Sequence, residues 1–342
     1  MINHSSTYIT DSHINQVKNT LTQKKLTCGE INKKFSSSLS EKLGFENIDL
    51  TSSGTMALFK ILKALDLQKG DEVLIPNYIC ESLLGPIYTL NLVPRLYDNL
   101  KDNWLSDDKN ILDLVTVKTK VIIINHTYGF FNKSINKLKK QIPNDINIIE
   151  DCCHLLVPES QHVKFKTSKY SLCSFFSFNA TKFIATGEGG AIGTNNKDFF
   201  RELNKINIGD NLSDLSCSLG LAQLGELENF IQMRLDIANY YIEELSSYVE
   251  KIGRLNDGLF YRFPVLVNDN EIFMNDTRVS YRLGVDKLLS ENIDSENLNN
   301  SKLLIQKIVS IPIYPGLAKN QQKFIVDRTK KILFDENNKI NR

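Results

Sequence analysis

Ser174-Phe175-Phe176-Ser177-Phe178-Asn179-Ala180-Thr181-Lys182 reads as an aromatic strand that runs through a small polar turn to a single lysine, and Thr186-Gly187-Glu188-Gly189-Gly190 follows as a glycine turn. Glycines relax the backbone limits at such a turn, so the chain here is shaped to present one amine. With 41 Lys and Arg in 342 residues, a lysine after a strand is ordinarily a surface residue. Two features elsewhere single this one out. Asp151 closes an earlier apolar strand, and Ser53-Gly54-Thr55 stands at the start of a helix.

A lysine, an acid to face a pyridinium nitrogen and a phosphate cradle are the protein parts that pyridoxal 5'-phosphate (PLP) chemistry demands. On this reading Lys182 is the Schiff-base former and the proton-moving base. Asp151 keeps the pyridine nitrogen protonated, and His154, three residues on, either contacts the phenolic oxygen or supports Asp151. Ser53-Gly54-Thr55 offers N–H groups and hydroxyls to an anion at a helix N-terminus. Ser177 supplies another hydroxyl, and Tyr78 is a candidate to stack on the ring. Each has a plainer alternative: an N-cap at Ser53, a helix cap at Asp151, a satisfied interior histidine at His154, a buried strand serine at Ser177 and a packed aromatic at Tyr78.

Composition narrows the class. A chain that is 42% hydrophobic with net charge +1 has the makings of a two-lobed globular enzyme and no electrostatic footprint for nucleic acid. No apolar run is long enough to span a membrane, and the polar N-terminal residues contain no signal-peptide core, so a cytoplasmic protein is expected. Cys28, Cys80, Cys152, Cys153, Cys173 and Cys217 are too sparse for a disulfide framework and are expected to be reduced. No second cluster supplies zinc ligands beside Cys152-Cys153, so no metal site is expected.

From about residue 51 onward, strands and helices alternate as in an α/β sheet. Residues 56–65 read as a helix capped by Ser53 or Thr55, and residues 72–75, 93–97, 120–125, 146–150 and 191–194 as strands. Residues 120–125 are apolar without alternation, as in a parallel strand covered on both faces. Asp151 and His126 then fall at carboxyl ends of parallel strands, the edge where open α/β sheets bind ligands. Residues 197–205 read as a helix, 214–249 as a long amphipathic stretch, 259–267 as a strand and 320–333 as a terminal helix. The division expected is a large lobe over residues 1–240, N-terminal helices included, and a smaller α+β lobe over residues 241–342.

With these residues in place, the chain resembles the fold-type I PLP aminotransferases, and within them the DegT/DnrJ/StrS sugar aminotransferase family. The likeness rests on Thr51-Ser52-Ser53-Gly54-Thr55, on Gly70-Asp71-Glu72-Val73 running into Pro76, on His126-Thr127-Tyr128-Gly129 and on Glu150-Asp151-Cys152-Cys153-His154. It extends through residues 177–182, Gly187-Glu188-Gly189-Gly190 and Leu219-Gly220-Leu221-Ala222-Gln223-Leu224. The resemblance implies a fold-type I PLP-transferase with a large, mainly parallel sheet. It implies Lys182 as the Schiff-base lysine, Asp151 as the pyridinium partner, His154 as a ring contact, and Gly54, Thr55 and Ser177 as phosphate contacts. It further implies a homodimer that transfers an amino group, from glutamate, to a nucleotide-linked keto sugar in polysaccharide or other glycan biosynthesis.

The chain also departs from the family. Asn179 stands where the family has His or Tyr, and Cys80 lies near the place of a ring-stacking aromatic, which leaves Tyr78 as substitute. Residues 206–215 are short, with Asn211 the one stand-in for a motif that reaches the neighbouring subunit. The C-terminal lobe is abbreviated but keeps Tyr261-Arg262-Phe263-Pro264 and Ile311-Pro312-Ile313-Tyr314-Pro315. Two alternatives follow from these departures: another PLP-dependent reaction on the same fold, or a regulatory or scaffolding protein with a degenerate site. Lys182 argues against the related dehydratases, which carry histidine there.

Overall fold

The computed structural model describes residues 1–23, 26–27, 29–162, 167 and 170–340. Seven strands, β1 (Asn47–Thr51), β2 (Glu72–Pro76), β3 (Val93–Tyr97), β4 (Thr119–Asn125), β5 (Asn147–Asp151), β6 (Cys173–Ser177) and β7 (Gly190–Thr194), form one sheet in the order β1-β7-β6-β5-β4-β2-β3. The five from β3 to β6 pair in parallel, and β7 runs antiparallel to both β6 and β1. Val121, Ile122, Ile123 and Ile124 are all fully buried because successive side chains leave opposite faces and both faces are covered. Ile122 and Ile124 join the core that holds Phe35, Leu39 and Phe176, while Val121 and Ile123 join the core that holds Leu58, Ile61 and Phe175.

In this sheet, the strands read from sequence are present to within a residue or two at each end. β1 was not among them: Asn47-Ile48-Asp49-Leu50-Thr51 is short and alternates, the pattern of an edge strand, and it pairs with β7 from residue 47 to residue 51. The N-terminal helices Asp11–Thr22 and Glu30–Leu43 both pack on helix Asp214–Leu224 of the large lobe. Gly220 permits that approach, since a Cβ there would lie 2.6 Å from the Phe35 ring. The stretch 214–249 is two helices, Asp214–Leu224 and Leu227–Leu245, with Gly225 and Glu226 between them.

A second sheet, β10-β9-β8, is antiparallel and comprises β8 (Lys251–Ile252), β9 (Phe263–Leu266) and β10 (Ile308–Ile311). Helices Leu227–Leu245 and Lys319–Ile340 pack together beside it, around Tyr241, Phe263, Val309 and Ile325. The chain's first residues join this side: Ile2 pairs with Val279, and buried His4 places Nε2 2.9 Å from the Ser310 hydroxyl. β9 is shorter than the sequence suggests because residues 258–262 are irregular, with Phe260 at φ +52°. Buried Arg234 satisfies the carbonyls this irregularity leaves, donating from Nη1 to Tyr261 and Ile313 at 2.9 Å each. The five described cysteines are free thiols; Cys28 lies outside the described residues.

The register brings the functional ends into line. Asn125 opposes Asp151, which opposes Phe175; Thr51 opposes Gly190, which opposes Ser177. The carboxyl ends of β1, β4, β5 and β6 therefore share one edge with the first residue of β7. A Cβ on Gly190 would sit 2.5 Å from the Ser53 carbonyl carbon and 2.7 Å from the Gly54 nitrogen, both backbone atoms that cannot swing aside. Gly190→Ala is expected to lower unfolding stability by about 1–3 kcal/mol through overpacking, read as a fall in the urea midpoint at constant slope.

Candidate active site

A cavity of about 790 Å³ opens at this shared edge. Gly54, Thr55, Tyr78, Asp151, His154, Ser177 and Lys182, the residues singled out in the sequence, all line it. They arrive from separate elements: the start of helix Gly54–Ala64, the turn after β2, the ends of β5 and β6, and the loop between β6 and β7. The opposite wall comes from the smaller lobe, through Tyr261, Arg262 and residues 282–287.

The helix start combines both readings of Ser53-Gly54-Thr55. Ser53 is the N-cap, its Oγ accepting the Met56 N–H at 3.1 Å. The N–H groups of Gly54 and Thr55, in the first turn, lie outside the helical ladder. A Cβ on Gly54 would lie 3.1 Å from both Ser177 Cβ and Cys153 Sγ, so glycine lets the helix end close on Ser177. Ser177 is the last residue of β6, and its Oγ accepts the Asn179 N–H at 3.4 Å. Two free N–H groups and two hydroxyls beside a helix N-terminus suit a phosphate.

Asp151 is buried, and its Oδ1 accepts the Cys153 N–H at 2.9 Å. Burial raises its pKa, against the hydrogen bonds from Cys153 and the charge of Lys182. No helix follows directly, so the residue is not a helix cap. A buried carboxyl held up by desolvation suits a cationic ring nitrogen. The phosphate cradle, this acid and Lys182 on one cavity together fit PLP.

Lys182 is positioned by a folded loop: its N–H donates to Asn179 O, the Thr186 N–H to Phe178 O and the Phe178 N–H to Gly189 O, all at 2.8–2.9 Å. Gly187 and Gly189 take φ of +85° and +149°. Lys182 Nζ stands 4.9 Å from the Tyr261 ring centroid, a cation–π distance. The His154 ring stacks on Tyr261 at 4.4 Å and 21°. Burial first, then the charges of Lys182 and Arg262, push the His154 pKa well down, so its imidazole is neutral. Glu188 is exposed and serves the loop, where the Thr186 hydroxyl donates to its carbonyl.

Tyr78 is fully buried with its hydroxyl 2.5 Å from that of Tyr128. Gly284 closes on this pair so tightly that a Cβ there would overlap the Tyr128 hydroxyl. His126 also reaches the cavity, but Nε2 bonds to Glu150 at 2.9 Å and Nδ1 accepts the Asn132 N–H at 3.0 Å. Cys152 joins these two as the one trio of potential metal donors among the described residues. Both imidazole nitrogens of His126 are engaged, one by Glu150, and burial pushes the Cys152 thiol well up. The sequence quoted Tyr261 and Arg262 within a retained motif without assigning them roles; nothing in its local pattern marked Arg282.

A family model for the DegT/DnrJ/EryC1/StrS aminotransferase family matches residues 7–330. GDP-perosamine synthase of Escherichia coli O157:H7 is 29% identical over 343 residues, 90% of this chain and 92% of that protein. The 3-oxo-glucose-6-phosphate:glutamate aminotransferase of Bacillus subtilis is 27% identical over 364 residues, 93% of this chain and 80% of that protein. Among solved structures, the aminotransferase TlmJ from Streptoalloteichus hindustanus is alike with a TM-score of 0.90 at 18% identity, covering 98% of this chain and all (100%) of that one. At that identity the likeness speaks for the fold.

Tyr261 offers a direct check of the site's electrostatics. Burial pushes its hydroxyl pKa up, but Lys182, Arg262, the bond with Thr181 and Arg234 outweigh it and bring the value to about 8. Since that lies below the unfolded value near 10, the stabilisation it brings is fully present above the unfolded value and is lost as pH falls through about 8. Ultraviolet titration of the cofactor-free protein is expected to show one tyrosine ionising near pH 8, and Tyr261→Phe is expected to abolish that step. A native titration with every tyrosine ionising at 10 or above would refute it.

Proposed function

Because the chain belongs to the DegT/DnrJ/EryC1/StrS aminotransferase family and its cofactor is PLP, we propose that it moves an amino group from glutamate to a nucleotide-linked keto sugar, in the biosynthesis of a surface polysaccharide or another glycan. The observation that carries this reading is that Lys182, Asp151 and Ser53-Gly54-Thr55 line one cavity, opposite a second wall roomy enough for a bulky acceptor. The E. coli relative's name contains a GDP-linked sugar, and the B. subtilis relative's name contains glutamate. The latter also contains a sugar phosphate, which favours a second reading in which the acceptor is a keto-sugar phosphate without a nucleotide.

Bound in the cavity, PLP supplies an aldehyde that exchanges an amino group between two substrates, its protonated ring acting as electron sink. The Gly54 and Thr55 N–H groups, the Thr55 hydroxyl and the Ser177 hydroxyl hold the phosphate. Asp151 holds the proton on the ring nitrogen, and the hydrogen bond from Cys153 keeps its carboxylate aimed. Neutral His154 bonds the phenolic oxygen, steadied by its stack on Tyr261. Lys182 Nζ moves the proton at the substrate carbon that bears the transferred nitrogen. Tyr261, under that ammonium, keeps it close to the cavity while excluding water from its far side.

The working unit in this reading is a cytoplasmic homodimer. Leu212, within residues 206–215, lies against Gly189 of the lysine loop, where the family's longer segment reaches a second subunit. Among the described residues no helix is long and apolar enough to cross a membrane.

Borohydride reduction of the PLP-loaded protein is expected to fix the cofactor's mass on the peptide containing Lys182; mass on another lysine, or on none, refutes the assignment. Asp151→Asn is expected to retain cofactor and lose about a hundredfold in turnover, as removal of one buried charge interaction does; near-normal turnover would leave Asp151 a purely structural acid. For the substrate, the loaded enzyme is mixed with glutamate and then with a panel of keto-sugar nucleotides, keto-sugar phosphates and simple keto acids, following visible absorbance. Return of the aldehyde form by a simple keto acid alone would end the sugar reading and keep the aminotransferase.

A further inference from the structure

Two guanidiniums, Arg262 and Arg282, stand on the small-lobe wall of the catalytic cavity. Neither takes part in an ion pair among the described residues. The neighbouring cation on that wall, Lys287, is by contrast paired with Glu81 at 2.9 Å. Two unpaired arginines facing one cavity are the arrangement that recognises a phosphate, whose oxygens match the guanidinium fork.

The backbone makes them neighbours. Arg262 immediately precedes β9, where Pro264 opposes Ser310 of β10. Ser310 in turn exchanges both backbone hydrogen bonds with Arg282, at 2.7 and 3.2 Å. Arg262 Nη1 donates to Leu283 O at 3.2 Å, which fixes its guanidinium against the chain next to Arg282. Both charges reach buried His4 behind them: burial first, then Arg262, Arg282 and Arg234, lower its pKa to about 3. Arg262 is half-buried, with its guanidinium 5.7 Å from the Tyr261 ring, while Arg282 is exposed at the cavity mouth. The pair thus runs outward from Lys182 and His154 toward solvent.

We propose that Arg262 and Arg282 form the subsite for the acceptor's phosphate, on the wall facing the helix start that takes the cofactor's own phosphate. The inference rests on the reading that the acceptor is a phosphorylated keto sugar, and it holds for a sugar phosphate and a nucleotide sugar alike. A phosphate ester carried beyond a sugar ring can extend from the reacting carbon to the exposed Arg282 on that wall.

The test separates the two half-reactions of the PLP-loaded enzyme, glutamate converting the cofactor to its amine form and the keto sugar returning it. Arg282→Gln is expected to raise the KM of the returning half-reaction at least about tenfold more than that of the glutamate half-reaction, since a charged hydrogen bond is lost. Arg282→Lys should recover part of this. Binding of inorganic pyrophosphate to the loaded native enzyme, measured by calorimetry, is expected and should weaken to the same extent in Arg282→Gln. Arms with keto-sugar phosphate and with keto-sugar nucleotide show which of the two carries the phosphate recognised. An equal loss in the glutamate half-reaction would assign the arginines to the donor's carboxylates and overturn the proposal, as would undetectable pyrophosphate binding by the native enzyme. Native enzyme that binds pyrophosphate through Arg282 yet accepts no phosphorylated sugar would instead defeat the functional reading and leave an anion site in place.

Discussion

The structure depends on the contact between Gly190 and the Ser53–Gly54 backbone. β7 must turn back against β6 and still pass the helix that follows β1, and only a residue without a Cβ allows the two main chains so close. That single approach aligns Thr51, Gly190 and Ser177 across the sheet. It puts the free N–H groups of a helix start beside the hydroxyl that ends β6. It also sets the length of the loop that carries Lys182, because the loop must leave from Ser177 and return at Gly190.

Around that frame the charges are arranged with little water to screen them. Asp151 is buried beneath the cavity with Glu150 and His126 bonded together behind it. The charges of Lys182, Arg262 and Arg234, with the bond to Thr181, outweigh burial and lower the pKa of the Tyr261 hydroxyl. Burial first, then Lys182 and Arg262, keep His154 neutral. The two lobes meet in this cluster: Lys182 and His154 belong to the large sheet's loops, and Tyr261 and Arg262 lead into β9. Arg234 locks the junction by bonding the Tyr261 and Ile313 carbonyls from the helix between the lobes.

Much of this was legible in the chain. Residues 120–125 are apolar on both faces because both faces are covered, and that pattern survives translation into sequence. Asp151 and Lys182 were legible because each ends a local pattern, a strand or a glycine loop, that has little other use. The edge strand β1 was missed because five residues with one buried face carry a weak signal. The break at Gly225 was missed because apolar residues recur at helical spacing on both sides of it, from Leu221 and Leu224 to Leu227 and Ile231, so the joint pattern runs on. Tyr78 was singled out as a ring-stacking candidate for its place after Pro76-Asn77, yet its hydroxyl is engaged with Tyr128, a partner 50 residues away that no local pattern announces.

By itself, then, the sequence determined the sheet's character, the edge at which polar residues collect, and the Lys182, Asp151 and Ser53-Gly54-Thr55 that meet on one cavity there. These are properties of strand ends and turns, set by backbone geometry over a few residues. The tertiary structure alone decided that Tyr261 meets both Lys182 and His154, that Gly284 closes on the Tyr78–Tyr128 pair, and that Arg262 and Arg282 share one wall. The Tyr261 and Gly284 contacts join residues far apart in the chain through packing of one lobe on the other, and their energy comes from burial and the sum of distant charges, which no local pattern records.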